Sequence, residues 1–291
     1  MKTCHSEYGA IETLWIKPVK KGFVDQKMIS EQWEELNYLS KPNYGKALNE
    51  YDQFSANFQY LENNLKTFGA NDFVKIDSIY CRDASIATDF GMIICNMGKG
   101  GRVNEPMSHR EAFEASGIKI LGEIKAPGTL EGGDVAWLDE KTLAVGHTYR
   151  TNYEGIDQLK ALLEPHGIEI IVAELPHYKG PSDVFHLMSI LSPVDKDLAV
   201  VYSPLMPINF RNELINRGFN FIEVPDDEFE AMGCNVLALA PKKCLMVNGN
   251  PVTQSRLIAA GCKVNTYSGD EISYKGGGGP TCLTRPMLRE I

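Results

Sequence analysis

Gly167-Ile-Glu-Ile-Ile-Val172 decides how this chain is read. Upstream of it, Ile156, Leu159, Leu162 and Leu163 recur at the spacing of one helix face, and at Gly167 the periodicity changes to an apolar, strand-like run. A glycine just past a helix relieves the left-handed strain of the stop position. The same join recurs at Gly69-Ala-Asn-Asp-Phe-Val-Lys-Ile, Gly117-Ile-Lys-Ile-Leu, Gly218-Phe-Asn-Phe-Ile-Glu-Val and Gly261-Cys-Lys-Val. The five glycines stand 48, 50, 51 and 43 residues apart, an internal repeat of about 50 residues.

Between the joins lie paired apolar runs with turn signals. Ser78 to Thr88 turns at Asp89-Phe-Gly91 into Met92-Ile-Ile-Cys95. Val135 to Leu138 turns at Asp139-Glu-Lys into Thr142. Leu187 to Leu191 turns at Pro193-Val-Asp-Lys into Leu198. Val236-Leu-Ala-Leu turns at Pro241-Lys-Lys into Cys244. Ser108 and Glu111 read as an S-x-x-E capping box ahead of the Phe113 helix. The expected unit is hairpin, helix, strand. Four copies run from about Ser78 to Ser268. The fifth is split: its strands come from the Gly-rich C-terminal segment around Cys282 and from Thr13-Leu-Trp-Ile-Lys-Pro-Val, and its helices from Ile29 to Phe68. The expected fold is α/β, a five-bladed α/β propeller of ββαβ units around a central axis. It forms a single domain over residues 1–291, its fifth unit closed by the N- and C-terminal segments so that no sheet edge stays open. A three-layer α/β domain also alternates helix and strand, but would not require five regular glycine stops.

Composition narrows function. Of 291 residues, 43% are hydrophobic and 23% charged, an ordinary globular balance. A net charge of −9 argues against a nucleic-acid binder and suits a small cationic partner. No apolar run approaches the roughly 20 residues of a membrane span, and Met1 to Tyr8 lacks the apolar core of a secretory signal. Seven cysteines (Cys4, Cys81, Cys95, Cys234, Cys244, Cys262 and Cys282) include no C-x-x-C pair, so the expectation is a cytoplasmic protein with free thiols.

Four segments could carry chemistry. Lys275-Gly-Gly-Gly-Gly-Pro-Thr-Cys282 spends four glycines, which are costly to order, just before a cysteine. Gly180-Pro-Ser-Asp183-Val-Phe-His186 places an imidazole at the start of a unit. Leu130-Glu131-Gly-Gly-Asp134 places a carboxylate at another, with Asp134 read as pinning the turn. Tyr80-Cys-Arg82-Asp83 places a second carboxylate on a run that reads as strand. Taken singly, each has a bland reading: a buried thiol, a core histidine, a solvated acid. Taken together, each lies near the start of a different unit, and a ring collects such positions at its axis. Two inward carboxylates repel unless a cation lies between them. One histidine without close ligand spacing disfavours a metal, whereas a planar guanidinium suits paired carboxylates.

At these residues the sequence resembles the guanidine-modifying, or pentein, superfamily, in its dimethylarginine dimethylaminohydrolase, arginine deiminase and amidinotransferase branch. The motifs are Arg82-Asp83, Leu130-Glu-Gly-Gly-Asp134, Phe185-His-Leu187, Gly277-Gly-Gly-Pro-Thr-Cys282 and Val145-Gly-His-Thr-Tyr-Arg150-Thr-Asn152, with a looser match at Ser108-His-Arg110-Glu111. The resemblance implies that Cys282 is a nucleophile and His186 a general acid/base. It implies that Glu131 and Asp83 hold the guanidinium, and that Arg150 and Arg110 bind the substrate carboxylate. Asp89, at the hairpin turn where dihydrolase relatives carry a polar amide, joins the substrate contacts. It further implies hydrolysis of arginine or an N-methylated arginine to citrulline through a covalent thiouronium, with no cofactor and no metal. The expected partner is an arginine-like small molecule, not nucleic acid or membrane, with a homodimer among the open assemblies. Arginine deiminases typically carry an Asp two residues after the histidine. Here Met188 stands there, which leans towards the dimethylarginine-type arrangement. The rival readings are an amidinotransferase, an arginine dihydrolase and, remotely, a ribosome anti-association factor that shares the ring.

Overall fold

The computed structural model describes residues 1–291. In chain order, β1 (Lys2–Thr3) and β2 (Ala10–Ile16) are followed by α1 (Val19–Gly22), α2 (Gln26–Gln32), α3 (Tyr44–Ala56) and β3 (Leu65–Thr67). The second unit comprises β4 (Ser85–Thr88), β5 (Gly91–Ile94), α4 (Glu105–Ala115) and β6 (Ile120–Glu123). The third comprises β7 (Val135–Asp139), β8 (Thr142–His147), α5 (Tyr153–Leu163) and β9 (Glu169–Glu174). The fourth comprises β10 (Leu191–Asp195), β11 (Leu198–Val201), α6 (Ile208–Asn216) and β12 (Asn220–Glu223). After a short helix, α7 (Asp226–Phe229), come β13 (Leu237–Ala240), β14 (Lys243–Val247), α8 (Pro251–Ala259) and β15 (Lys263–Tyr267). The last strand, β16 (Thr284–Glu290), completes the chain.

Four three-stranded sheets share one topology. An antiparallel hairpin is joined by a helix to a third strand parallel to the hairpin's second, as in Val135↔Val145↔Val172. The remaining sheet runs β1-β16-β2-β3, so the chain ends pair with each other: β16 lies antiparallel to β2, and β2 parallel to β3. The sheets touch in a closed cycle. β16 packs on β4, Trp137 Nε1 on β7 donates to Ala87 O on β4 at 3.2 Å, β7 meets the turn before β10, β10 packs on β13, and β13 on β2. The expected five-unit ring and its split fifth unit are therefore found.

The unit helices form for local reasons. The Asn152 side chain caps α5 by accepting from Gly155 N, while Ile156, Leu159 and Leu163 bury one face. Gly117, Gly167, Gly218 and Gly261 all have φ between 70° and 88°. The structure corrects three details. Gly69 does not precede a strand: in the split unit the parallel strand β3 comes before it, after an extra 3₁₀ segment at Gln59–Asn64. Ser108 does not cap α4, which starts a turn earlier, beyond Asn104; the Ser108 hydroxyl accepts from Asn71 instead. Two hairpins begin later than their apolar runs suggest, at Ser85 and Leu191, because Ile76–Ile79 and Leu187–Ser189 are 3₁₀ turns. No helix is long and apolar enough to cross a membrane.

Candidate active site

Those 3₁₀ turns position the site. Asp83 and His186 do not lie on strands; each sits on the irregular segment feeding the first strand of its unit, as Glu131 does ahead of the Gly132–Asp134 turn. Cys282 lies just before β16. Its carbonyl accepts from Arg82 N at 3.1 Å, and the Asp83 carbonyl accepts from Gly132 N at 2.7 Å, so backbone bonds join three of the four segments. Asp134 joins the fourth: its carboxylate accepts from Thr148 and Thr151 hydroxyls (both 2.7 Å) and from Leu187 N (3.0 Å), fixing the residue after the histidine.

The glycines in these motifs make room. A Cβ on Gly133 would lie 2.5 Å from His186 Nδ1 and 2.8 Å from Asp83 Oδ1. In the Gly276–Gly279 run, a Cβ on Gly278 would meet the Tyr80 ring at 2.3 Å and one on Gly279 would meet Asn235 Cγ at 2.5 Å. The run thus brings bare backbone against two side chains beside the thiol.

Cys282, His186, Asp83 and Arg150 line one cleft together with Asp77, Tyr80, Lys99, Arg102, Val184 and the glycines. Its open volume is about 10 Å³, room for roughly one water. Arg150 also lines a wider neighbouring cavity of about 300 Å³. His186 Nε2 lies 2.8 Å from Glu131 Oε2, and Glu131 Oε1 accepts from Lys99 N at 2.9 Å. Arg150 Nη1 lies 3.7 Å from Glu131, and its Nη2 donates to Asp183 O at 3.1 Å.

Burial opposes protonation of His186, but the Asp134 charge, the Glu131 hydrogen bond and the Asp83 charge outweigh it and raise its pKa. Burial likewise opposes ionisation of Glu131, and the His186 contact and charge, followed by Arg150, reverse that and lower its pKa. The pair is therefore imidazolium and carboxylate. Burial, and then the Asp83 charge, push the Cys282 thiol up; the hydrogen bond from Asn235 acts against them. No hydrogen bond links Cys282 to His186, so the expected thiolate–imidazolium pair is not a direct contact in this state.

Sequence reasoning missed four neighbours. Arg102 Nη1 donates to Asp83 Oδ2 at 2.5 Å, and the same guanidinium forks onto Glu105. Lys99 Nζ donates to Asp77 Oδ2 at 2.6 Å. Asn235 Nδ2 donates to Cys282 Sγ at 3.4 Å. The signal available for Arg102 was its setting in Gly100-Gly-Arg-Val-Asn-Glu105; nothing local marked Asp77 or Asn235. Two expected contacts are not brought to the cleft. Arg110 lies on α4, paired with Glu123 and Glu114 at the surface. Asp89 lies at the far end of the β4–β5 hairpin, where it accepts from Thr3 and Cys4 N.

Asp83 Oδ1 and Asp77 Oδ1 are buried without a partner. The other oxygen of each is held by a cation: Arg102 pairs with Asp83 and Lys99 with Asp77. A buried acceptor left without a partner costs about 1–3 kcal/mol, so the cleft favours a ligand that brings N–H donors to these two oxygens. Asp83, Glu131 and His186 could also converge on a metal ion. Against that, Glu131 and His186 already satisfy each other, and the unpaired oxygens belong to the two aspartates.

A thiol beside paired carboxylates that seek a flat cation is the equipment of the guanidine-modifying enzymes, and this chain is an amidine-hydrolysing member of that class. The family model described as "N,N dimethylarginine dimethylhydrolase, eukaryotic" matches residues 25–289, and the chain belongs to that family. The N(G),N(G)-dimethylarginine dimethylaminohydrolase of Pseudomonas aeruginosa is 26% identical, over 85% of this chain and 91% of the relative. An arginine deiminase of Latilactobacillus sakei is 25% identical, over 100% of this chain and 84% of the relative. Among solved structures, a mutant of the Pseudomonas aeruginosa enzyme complexed with citrulline superposes with a TM-score of 0.73 at 22% identity, covering 94% of this chain and 98% of that one. An amidinotransferase of Microseira wollei superposes at 0.78 with 15% identity, covering 98% and 96%. At such identities these two show the fold.

Proposed function

We propose that the chain hydrolyses Nω-methylated arginine to citrulline and an alkylamine, with Cys282 as nucleophile and His186 as proton shuttle. The observation that carries this is the unpartnered Asp83 Oδ1, buried in the same cleft as the thiol. A guanidinium is a poor electrophile because its charge is delocalised. Asp83 and Asp77 accept its N–H groups, and the Glu131–His186 pair lies beside them. The added positive charge offsets the Asp83 field that holds up the thiol, and Cys282 ionises as substrate binds.

Sγ then attacks the guanidino carbon to form a tetrahedral adduct. The C–N bond to the alkylated nitrogen breaks, and His186 passes its proton to the departing amine. The thiouronium that remains is attacked by water. His186, now neutral, takes a proton from the water, the C–S bond breaks, and citrulline and the thiol are released. Arg150, shared with the wider cavity, holds the amino-acid carboxylate. Met188 favours a methylated substrate: it is buried in an apolar cluster and supplies no carboxylate where deiminases carry one. Six buried free thiols suit a reducing compartment, and the cytoplasm is the location we assign.

The test is mass spectrometry of products from arginine, mono- and dimethylarginine, and agmatine. Citrulline with methylamine or dimethylamine supports the reading; turnover of agmatine alone, or no citrulline from any of them, opposes it.

A further inference from the structure

The Asn235 amide lies against Cys282, and its orientation is fixed. Thr281 N can only donate, and it lies 3.1 Å from one amide atom of Asn235, which must therefore be Oδ1. The Thr281 hydroxyl gives its single hydrogen to the same oxygen at 2.9 Å. The other amide atom, the NH₂ group, is left facing Sγ at 3.4 Å, within reach of an N–H···S bond, and it has no other acceptor. The Thr281 hydroxyl is also 3.9 Å from the sulfur, but its hydrogen is already committed.

The surroundings hold this arrangement. Ser192, fully buried on β10, donates its hydroxyl to Cys234 O at 2.7 Å and accepts from Val236 N at 3.2 Å, clamping the backbone on both sides of Asn235. Gly279 is pressed so closely on the Asn235 side chain that a Cβ there would lie 2.5 Å from Oδ1. The oxygen of the amide serves Thr281, whereas the NH₂ group meets no partner except the sulfur, so the Thr281 contacts alone do not call for a donor there. A donor aimed at sulfur matters more as charge develops, because a thiolate is the stronger acceptor and charge-assisted bonds exceed neutral ones.

We propose that Asn235 is a catalytic residue that contacts the reacting sulfur, an oriented N–H donor that stabilises the Cys282 thiolate and holds it in position for attack. No atom is transferred by Asn235: the thiol proton leaves to solvent, and the amide hydrogen bond strengthens. In the return step, the same bond favours sulfur as the leaving group. This inference rests on Cys282 being the nucleophile.

The test uses Asn235→Ala and Asn235→Leu, the second close to asparagine in volume, so that a misfolded alanine variant leaves the question open to measurement. Both are treated with iodoacetamide, a neutral reagent, from pH 6 to 10, and alkylation of the Cys282 peptide is followed by mass spectrometry to set it apart from the other six thiols. Loss of one charge-assisted bond is expected to move the thiol titration up by about one unit, slowing alkylation at neutral pH about tenfold. Turnover should fall in the same proportion or more. A folded variant with an unchanged alkylation profile overturns the proposal, even if turnover is lost. Retained turnover in Cys282→Ser would instead remove the nucleophile itself, so the two failures are distinguishable.

Discussion

His186 Nε2 lies 2.8 Å from Glu131 Oε2, and both side chains are buried. The Asp134 charge and this ion pair keep the imidazole protonated above its ordinary range, and a general acid must carry a proton when the amine departs. Activity should therefore persist into alkaline pH and fall only as His186 loses its proton. Glu131→Gln removes one of the charges that raise His186, so the alkaline limb of kcat against pH should move to lower pH, with kcat falling by about 10²–10⁴. A pH–rate profile checks this; an alkaline limb that does not move would detach Glu131 from the proton transfer.

His186→Gly separates the two halves of the reaction. Some attack by Cys282 should persist, but hydrolysis of the thiouronium lacks its base. Intact-mass measurement after incubation with methylarginine should show an adduct that accumulates and decays slowly. Rapid multiple turnover without an adduct would assign the base elsewhere.

Gly133→Ala probes how closely the segments are packed. The added carbon meets His186 Nδ1 and Asp83 Oδ1 at distances real side chains do not tolerate. Stability should fall by about 1–3 kcal/mol as neighbours are displaced. Displacement of the imidazole should lower kcat at least tenfold. Thermal melting and steady-state rates test both; a folded variant with normal kcat would contradict the geometry.

Arg150→Ala should raise KM more than it lowers kcat, because a carboxylate contact remote from the reacting carbon acts mainly on binding. A substrate analogue without the carboxylate should lose little on the same substitution. The reverse pattern would remove Arg150 from the substrate contacts.

The ring was legible in the sequence because its signals are local. A helix face running into a left-handed glycine needs no tertiary knowledge, and four of the five such glycines have that geometry. Gly69 misled because the split unit places its parallel strand ahead of the glycine. Cys282, His186, Asp83 and Glu131 were suggested by their shared position at unit starts, and the fold brings them to one place. Asp77, Lys99, Arg102 and Asn235 were hidden because each acts through a partner distant in the chain, as Asn235 does through a cysteine 47 residues away. Arg110 and Asp89 carried motif-like neighbours but face outward, where ion pairs and a turn satisfy them. Spacing reveals which residues share an element, but not which side chain meets which across the axis.

Cys282→Ser measured beside wild type tests the central claim most directly. With methylarginine and an acid quench, the wild-type peptide containing Cys282 should carry a transient guanidino-carbon adduct and citrulline should form, while the serine variant should show neither. Citrulline production by Cys282→Ser at a rate near that of wild type would contradict the account.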